Sequence, residues 1–460
     1  MKKAALHNLG CKVNAYETEA MEQMLANAGY EIVPFGEMAD VTIINTCSVT
    51  NIADRKSRQM LHKAKKMNPE GIVIAAGCYV QAEGSELIAD EAVDIVIGNN
   101  CKADLLQIIE EYAANHSNNT ALLNIAEQKC YEELSINRVC EHARAYIKVQ
   151  DGCNQFCSYC IIPYTRGRVR SRKLSEITAE ITTLVQKGYQ EFVLTGIHLS
   201  SYGIDLDRQS EEHEITKTMD YKEQGMREAW LLKLIQTVGA IDGVQRIRLG
   251  SLEPRIVTEE FAEQLASVPQ LCPHFHLSLQ SGCDATLKRM NRRYDTTEYE
   301  RGCNVLRKFF VNPAITTDVI VGFPGETEEE FQQSRTFLER IHFYEMHVFK
   351  YSRRKGTAAD RMEHQIDETV KTARSKELLL LEQQMSQEYR TAAIGTAQQV
   401  LLEEKQYIDG QEYAVGHTET YIKVFVPIEA FQGNFAVNKI VPVTIQALFQ
   451  QNSTIGRLSL

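Results

Sequence analysis

Apolar positions along this chain alternate between short uninterrupted runs and longer stretches that repeat every three or four residues. In the first hundred residues the runs at 4–9, 41–46, 72–76 and 94–97 predict buried strands. Between them, 14–28, with Met21, Met24, Leu25 and Ala28 on one face, and 53–67 predict helices. Strands alternating with helices predict an α/β, doubly wound parallel sheet, and such sheets bind ligands at the carboxyl ends of their strands.

The rhythm breaks at 114–143, where Asn115-His-Ser-Asn-Asn119 marks a polar turn and the segment reads as a linker; its Cys130 and Cys140 read as ordinary reduced thiols. It resumes at 144. Strands are expected at 145–149, 191–195, 246–249, 274–279, 315–321 and 347–351, with helices such as 174–187, 229–238 and 327–340 between them. Repeated units of this kind predict a full or partial TIM-like parallel barrel with its site where the strands end. The charged stretch at 205–227 reads as a surface insertion. After a helical stretch at 367–388, glycine-punctuated strands at 397–402, 413–417, 421–426, 439–448 and 454–458 predict a small antiparallel, OB-like β-barrel. The expected domains are therefore 1–113, a linker at 114–143, 144–387 and 388–460.

A chain of 460 residues supports this division into several cores. Its 12 cysteines, with no secretory leader and no apolar run long enough for a membrane span, point to a reducing compartment, metal ligation and a cytoplasmic location with no membrane partner. A net charge of -11 argues against a generic nucleic-acid binder, but the charge is unevenly spread. Arg166, Arg168, Arg170 and Arg172 occupy alternate positions, so an extended chain would present all four on one side as a phosphate track. Lys288, Arg289, Arg292 and Arg293 form another basic cluster, although most such runs are simply solvated faces. In the terminal barrel Tyr413, Tyr421, Phe425, Phe431 and Phe435 are candidates for stacking on bases, while most aromatics in so small a domain must build its core.

The chemistry is carried by cysteines. Cys153, Cys157 and Cys160 form a CxxxCxxC loop directly after the first expected barrel strand. A closed [4Fe-4S] site takes four thiolates, so a triplet leaves one iron open to an exchangeable ligand, whereas structural zinc would call for a fourth donor. Cys11, Cys47 and Cys78 each follow an expected strand of the N-terminal sheet. If that sheet forms, they converge on one edge as a second open cluster; the alternative is three unrelated loop thiols. Gly10 and Gly77 before two of them permit a tight backbone. Polar strand ends at Thr195-Gly196-Ile-His198, Ser251-Leu-Glu253, Gln280-Ser-Gly282 and Val321-Gly-Phe-Pro-Gly-Glu326 would surround the barrel mouth as a ligand lining.

The CxxxCxxC loop, with Tyr159 before its third cysteine, resembles the radical S-adenosylmethionine (SAM) superfamily. Together with the segments Gly10-Cys-Lys-Val-Asn14, Asn45-Thr-Cys-Ser and Gly77-Cys-Tyr-Val-Gln81, the whole chain resembles its methylthiotransferases. The resemblance implies two [4Fe-4S] clusters, one on Cys153, Cys157 and Cys160 that binds and reductively cleaves SAM, and an auxiliary one on Cys11, Cys47 and Cys78 that delivers sulfur. It implies SAM contacts from Tyr159, Thr195, Gly196, His198, Ser251, Glu253, Gln280 and Val321, and an RNA-binding TRAM domain at the C-terminus. The implied partners are a tRNA anticodon stem-loop, held through Arg166, Arg168, Arg170, Arg172, Arg292 and Arg293, an external electron donor and a sulfur source. Gly10-Cys-Lys-Val-Asn14, 196–203, 251–254 and 276–282 look most like the members that act on N6-threonylcarbamoyladenosine. Members acting on isopentenyladenosine or on a ribosomal-protein aspartate are the alternatives. A non-catalytic iron-sulfur protein that binds RNA or senses redox state is a reading from another class, separated by whether SAM is cleaved.

Overall fold

The computed structural model describes residues 2–115, 120–137, 143–206 and 219–459. Cys140 and most of the expected insertion lie outside them. Six parallel strands form the N-terminal sheet: β1 (Lys3–Asn8), β2 (Glu31–Val33), β3 (Val41–Thr46), β4 (Ile72–Gly77), β5 (Ile95–Ile97) and β6 (Thr120–Ala121). Their order is β2-β1-β3-β4-β5-β6. Helices α1 (Lys12–Asn27), α2 (Asn51–Met67), α3 (Cys78–Ile88) and α4 (Leu105–Asn115) make the crossovers. Every residue of β3 is buried, as a central strand covered on both faces must be.

The segment expected as a linker carries more structure than that. Thr120–Ala121 pairs with β5, Leu134 and Ile136 enter the central core, and the Tyr131 hydroxyl donates to the Lys148 carbonyl at 2.8 Å. Its apolar residues are too scattered to show a period, so their burial depends on surfaces supplied by other segments.

The central domain contains β7 (Ala145–Asp151), α5 (Ile162–Thr165), β8 (Arg170–Ser171), α6 (Leu174–Gln186), β9 (Glu191–Gly196), α7 (Met219–Gly239), β10 (Arg246–Leu249) and α8 (Glu259–Ala266). It continues through β11 (His274–His276), α9 (Asp284–Arg289), α10 (Thr296–Phe309), β12 (Ala314–Val321), α11 (Glu328–Ile341) and β13 (Glu345–Lys350). Two sheets, β10-β9-β7-β8 and β11-β12-β13, are joined by parallel bridges at Ile247 with Leu271 and Leu252 with Leu277. The result is a partial barrel of parallel strands, with the short β8 antiparallel at one edge.

Strand alternation sorts the residues of this barrel. Ile147, Val149, Phe192, Leu194, Ile247, Phe275, Ile315 and Val319 pack into the core beneath the helices. Lys148, Gln150, Glu191, Thr195, Arg248, His276 and Asp318 therefore face the interior. An interior this polar is suited to ions and ligands rather than to side-chain packing.

After α12 (Glu368–Ala392), strands β14 (Ala397–Ile408), β15 (Gln411–Thr418), β16 (Lys423–Pro427), β17 (Ile440–Phe449) and β18 (Ser453–Leu458) close a barrel in the order β14-β15-β16-β18-β17. All its pairs are antiparallel except β16 with β18. The aromatics proposed for base stacking serve other ends. Tyr413, Phe425 and Phe431 are buried, Phe435 packs edge-on to Phe431, and Tyr421 stacks on His417 at 4.7 Å. Tyr413, Phe425, Phe431 and Phe435 belong to the hydrophobic clusters of the barrel, whereas the Tyr421 ring faces Arg144 and Arg248 of the central domain. Among the described residues no helix is long and apolar enough to cross a membrane.

Glu191 ties the terminal barrel to the floor of the central one. It pairs with Arg144 at 2.8 Å, Arg248 at 2.7 Å and Arg246 at 3.4 Å. Arg246 and Arg248 in turn donate to the carbonyls of Gln399, His417, Thr418 and Glu419. Burial alone would raise the Glu191 pKa, but Arg248, Arg144 and Arg246 hold it at about 2. Glu191→Ala would remove the carboxylate partner of buried Arg248 and leave Arg144 and Arg246 with only Glu403 and the more distant Glu419, and is expected to cost about 3–5 kcal/mol in denaturant unfolding. It should also expose the end of α12 to protease.

Candidate functional site

Cys11 is the N-cap of α1, Cys47 follows β3, and Cys78 opens α3 directly after β4. All three lie at carboxyl ends of neighbouring strands. Gly10 has φ +138°, and a Cβ there would come within 3.0 Å of Cys47 Cβ. At Gly77, φ +98°, a Cβ would meet Asn45 Oδ1 at 2.6 Å. Side chains at these two glycines would keep the ends apart. The thiols are close enough to act on one another. Burial, then the charges of Cys78 and Cys11, push Cys47 up to about 12. Desolvation likewise raises Cys11, with Arg166 opposing it and Cys78 adding to it.

Loop 152–160 is clamped from several sides. Gly152 has φ +71°, and a Cβ there would lie 1.9 Å from the Arg168 carbonyl oxygen. Cys153 N–H donates to Gly167 O at 3.0 Å, Ser158 N–H to Met290 O at 3.0 Å, and Ala359 N–H to Ser158 O at 2.7 Å. Cys157 Sγ accepts from Arg292 Nη1 at 3.2 Å, and Cys153 Sγ accepts from Gln155 N–H at 3.4 Å. Burial pushes Cys153 up to about 12, and burial with the neighbouring Cys157 and Cys153 raises Cys160 further. Such crowded thiols favour the neutral form on their own, and a metal that displaces their protons resolves the conflict. The donor set therefore fits an iron-sulfur cluster.

The four alternating arginines do not form a common face. Helix α5 ends at Thr165, Gly167 turns with φ +70°, and only Arg170–Ser171 is strand, so the extended run is interrupted. Arg166, Arg170 and Arg172 are buried; Arg168 is exposed, with its guanidinium 4.5 Å from the centre of the Phe156 ring. Arg172 pairs with Glu180, and Arg170 Nη1 donates to the Arg166 carbonyl at 2.9 Å. Arg166 donates to Glu17 Oε1 at 2.8 Å, Asp151 Oδ2 at 3.1 Å, Asn14 Oδ1 at 2.7 Å and Cys78 Sγ at 3.2 Å. Arg292 is likewise committed, to Cys157, Tyr294 and Ser278, while Arg293 is exposed.

Around Arg166, four cations (Lys102, Lys148, Arg166 and Arg170) face three carboxylates (Glu17, Asp151 and Glu132). The surplus positive charge lies against Cys78 Sγ and suits a metal-bound thiolate there. Burial would raise Glu17, but Arg166, Lys102 and Lys148 hold it well below the usual carboxylate range.

At the barrel mouth His198 Nε2 lies 3.3 Å from Glu253 Oε2, and its Nδ1 is 2.7 Å from Ser201 Oγ. Gln155, from the cysteine loop, donates to Glu253 Oε2 at 3.1 Å. Burial opposes ionisation of Glu253, but His198, Arg292 and Arg227 hold its pKa at about 2, so it presents a charged carboxylate beside the loop. Thr195 and Gly196 end β9, where Gln150 Oε1 accepts from His198 N–H at 2.8 Å. Tyr159 packs edge-on to Phe323 at 6.3 Å. Gln280, at φ +74°, donates N–H to Asp318 O and accepts from Ile320 N–H, both at 2.8 Å. Ser251 is exposed at the end of β10. The Val321 side chain turns into the core, so only its backbone borders the mouth. Glu326 closes its own turn, accepting from Gly322 N–H at 2.7 Å and pairing with Arg374. Gln155 and Arg227 were missed because their relevance depends on what lies opposite them, whereas Ser201 belongs to the polar strand end at 195–201.

Residues 3–98 match the family described as "Uncharacterized protein family UPF0004", and 147–338 match the radical SAM superfamily. A Bacillus subtilis protein named threonylcarbamoyladenosine tRNA methylthiotransferase MtaB is 40% identical over 97% of this chain and 94% of its own. Its namesake in Aquifex aeolicus is 38% identical over 92% and 98%. The chain belongs to the radical SAM methylthiotransferases. A Thermoanaerobacter tRNA-2-methylthio-N(6)-dimethylallyladenosine synthase is 34% identical over 95% of this chain and 89% of its own. Among solved structures, the radical SAM methyltransferase TsrM from Kitasatospora setae has TM-score 0.55 at 14% identity, covering 78% of this chain and 74% of that one, which speaks to fold alone.

As a radical SAM methylthiotransferase, the protein uses SAM and a [4Fe-4S] cluster and acts on tRNA. Gly152→Ala should displace the cysteine loop through left-handed strain and the clash with the Arg168 carbonyl, a destabilisation of about 1–3 kcal/mol from the strain alone. Purified anaerobically, that variant is expected to carry less iron per chain than the parent.

Proposed function

We propose that this enzyme adds a methylthio group to C2 of N6-threonylcarbamoyladenosine next to the tRNA anticodon. The observation that carries the two-site reading is Arg166, whose guanidinium links the Cys78 thiol to Asp151, one residue from the loop that bears the other triplet. Full-length likeness to relatives named for threonylcarbamoyladenosine favours that base over dimethylallyladenosine.

Cys153, Cys157 and Cys160 would hold the SAM-binding cluster, and Cys11, Cys47 and Cys78 an auxiliary one. When bound, these groups supply one-electron chemistry able to activate an otherwise inert carbon–hydrogen bond and provide sulfur to it. The chain itself positions and insulates. Glu253 offers a fixed negative charge for the SAM ammonium, and His198, held by Ser201, keeps that carboxylate oriented. Tyr159, Thr195, Gly196, Ser251, Gln280 and the Val321 backbone line the remainder of the SAM position. Arg292 donates to Cys157 Sγ and stabilises negative charge on the loop. Electrons and replacement sulfur come from external donors. For RNA, exposed Arg168 and Arg293 replace the buried arginines as phosphate contacts.

Two measurements test this. Cys157→Ala should abolish formation of 5'-deoxyadenosine from SAM, whereas Cys78→Ala should retain it while yielding no methylthiolated tRNA; either variant should lose roughly half of the iron. Loss of SAM cleavage in both variants would argue against separate roles. Arg168→Ala with Arg293→Ala should weaken tRNA binding and flatten its log-log salt dependence by about one unit per lost contact.

A further inference from the structure

Behind the cysteine loop the barrel interior holds a polar patch that none of these roles uses. Phe275 packs outward against Phe310 with ring centroids 4.8 Å apart, so its neighbour His276 points inward. His276 Nε2 lies 3.3 Å from Asp318 Oδ2, while Thr316 Oγ1 fixes the opposite ring nitrogen at 3.0 Å. The His347 ring stacks on His276 at 6.0 Å, and ligand atoms of His276, Asp318 and His347 all lie within 4.8 Å of one another. Strand register places Asp318 beside His347 and, two residues nearer the mouth, Ile320 beside Phe349. Phe349 is 47% exposed, and Ile320 packs in the cluster that includes Tyr159. The patch thus lies along β11, β12 and β13 next to the Tyr159 cluster, with His276 and Asp318 half-buried and His347 exposed.

Lys12 completes it from the opposite domain. It directly follows Cys11 at the start of α1, a helix that packs against β7 and β9 of the same barrel, and its charge acts on His347. No hydrogen bond or ion pair engages its ammonium among the described residues. Arg248 and Arg144, whose charges act on it, are already committed to Glu191. An uncommitted ammonium, two imidazoles and a carboxylate do not suit an apolar alkyl group, which would leave them desolvated and unpaired. The nearby ammonium also disfavours a metal ion among the three ligands.

We infer that Lys12, His276, Asp318 and His347 form the specificity pocket for the amino-acid appendage of the target base. Lys12 and His347 face its carboxylate, and the His276–Asp318 pair receives its hydroxyl. Ile320 and Phe349 border the base itself. This inference rests on the reading of the substrate as N6-threonylcarbamoyladenosine.

The test uses anaerobically purified full-length enzyme and three otherwise identical tRNAs, bearing threonylcarbamoyladenosine, its carboxamide analogue or dimethylallyladenosine. The parent should prefer the first. Lys12→Met should lower kcat/KM for that tRNA about 10- to 100-fold, the loss of one charge-assisted contact, and should lower it little for the carboxamide. Lys12→Arg should recover part of the loss. His347→Gln, on a strand with no cysteine, reports on the pocket independently of cluster loading. Unchanged discrimination between carboxylate and carboxamide in both Lys12→Met and His347→Gln would overturn the pocket. A parent enzyme that prefers dimethylallyladenosine would instead overturn the substrate reading.

Discussion

The buried guanidinium of Arg166 is the contact on which the arrangement of the two cysteine triplets depends. It bonds to Glu17 and Asn14 on α1, to Cys78 at the start of α3, and to Asp151 at the end of β7. Each segment carries or adjoins a cysteine position. Removing so many charges from water is costly, and the mutual attraction is useful only when geometry and hydrogen bonds are nearly complete. Lys102 and Lys148 complete it by pairing with the same Glu17. A network this demanding adds little net stability compared with apolar packing. What it provides is registry, because small displacements of one domain against the other would break several bonds at once.

The same division of labour runs through the central barrel. Apolar residues of β7, β9, β10, β11 and β12 turn outward to the helices, which supplies the hydrophobic stabilisation, and the interior is left to polar groups. At the floor, Glu191 gathers three arginines, of which Arg246 and Arg248 hold the terminal barrel by its backbone carbonyls and Arg144 by Tyr421 and Glu403. At the mouth, Glu253 and His198 stand beside the cysteine loop. The region between them holds the cluster of His276, Asp318 and His347.

Much of this organisation is legible without coordinates because it is local. Buried runs of four to six residues separated by helical periods lead directly to the parallel sheet, and CxxxCxxC is a contiguous metal loop. The misreadings share one cause. Arg166, Arg170 and Arg172 look like a solvent-facing track because their partners, Glu17, Asp151 and Glu180, lie in other segments and the intervening Gly167 breaks the extended geometry. The aromatics of the terminal barrel look available for bases until folding commits four of them to its hydrophobic clusters and Tyr421 to Arg144 and Arg248. Residues 120–137 look like a linker because a two-residue strand has no period to detect.

The amino-acid sequence by itself determined the three-part architecture, the superfamily and the two cysteine triplets, since each is written in periodicity or in short fixed spacings. Tertiary structure decided which charges meet. It turned three arginines from surface contacts into internal ties, set Glu253 and Arg292 against the cysteine loop, and brought the charge of Lys12 to act on histidines more than 250 residues away. The physical reason is that burial and ionic pairing are properties of facing surfaces. A chain specifies its surfaces locally, but only folding determines which ones face each other.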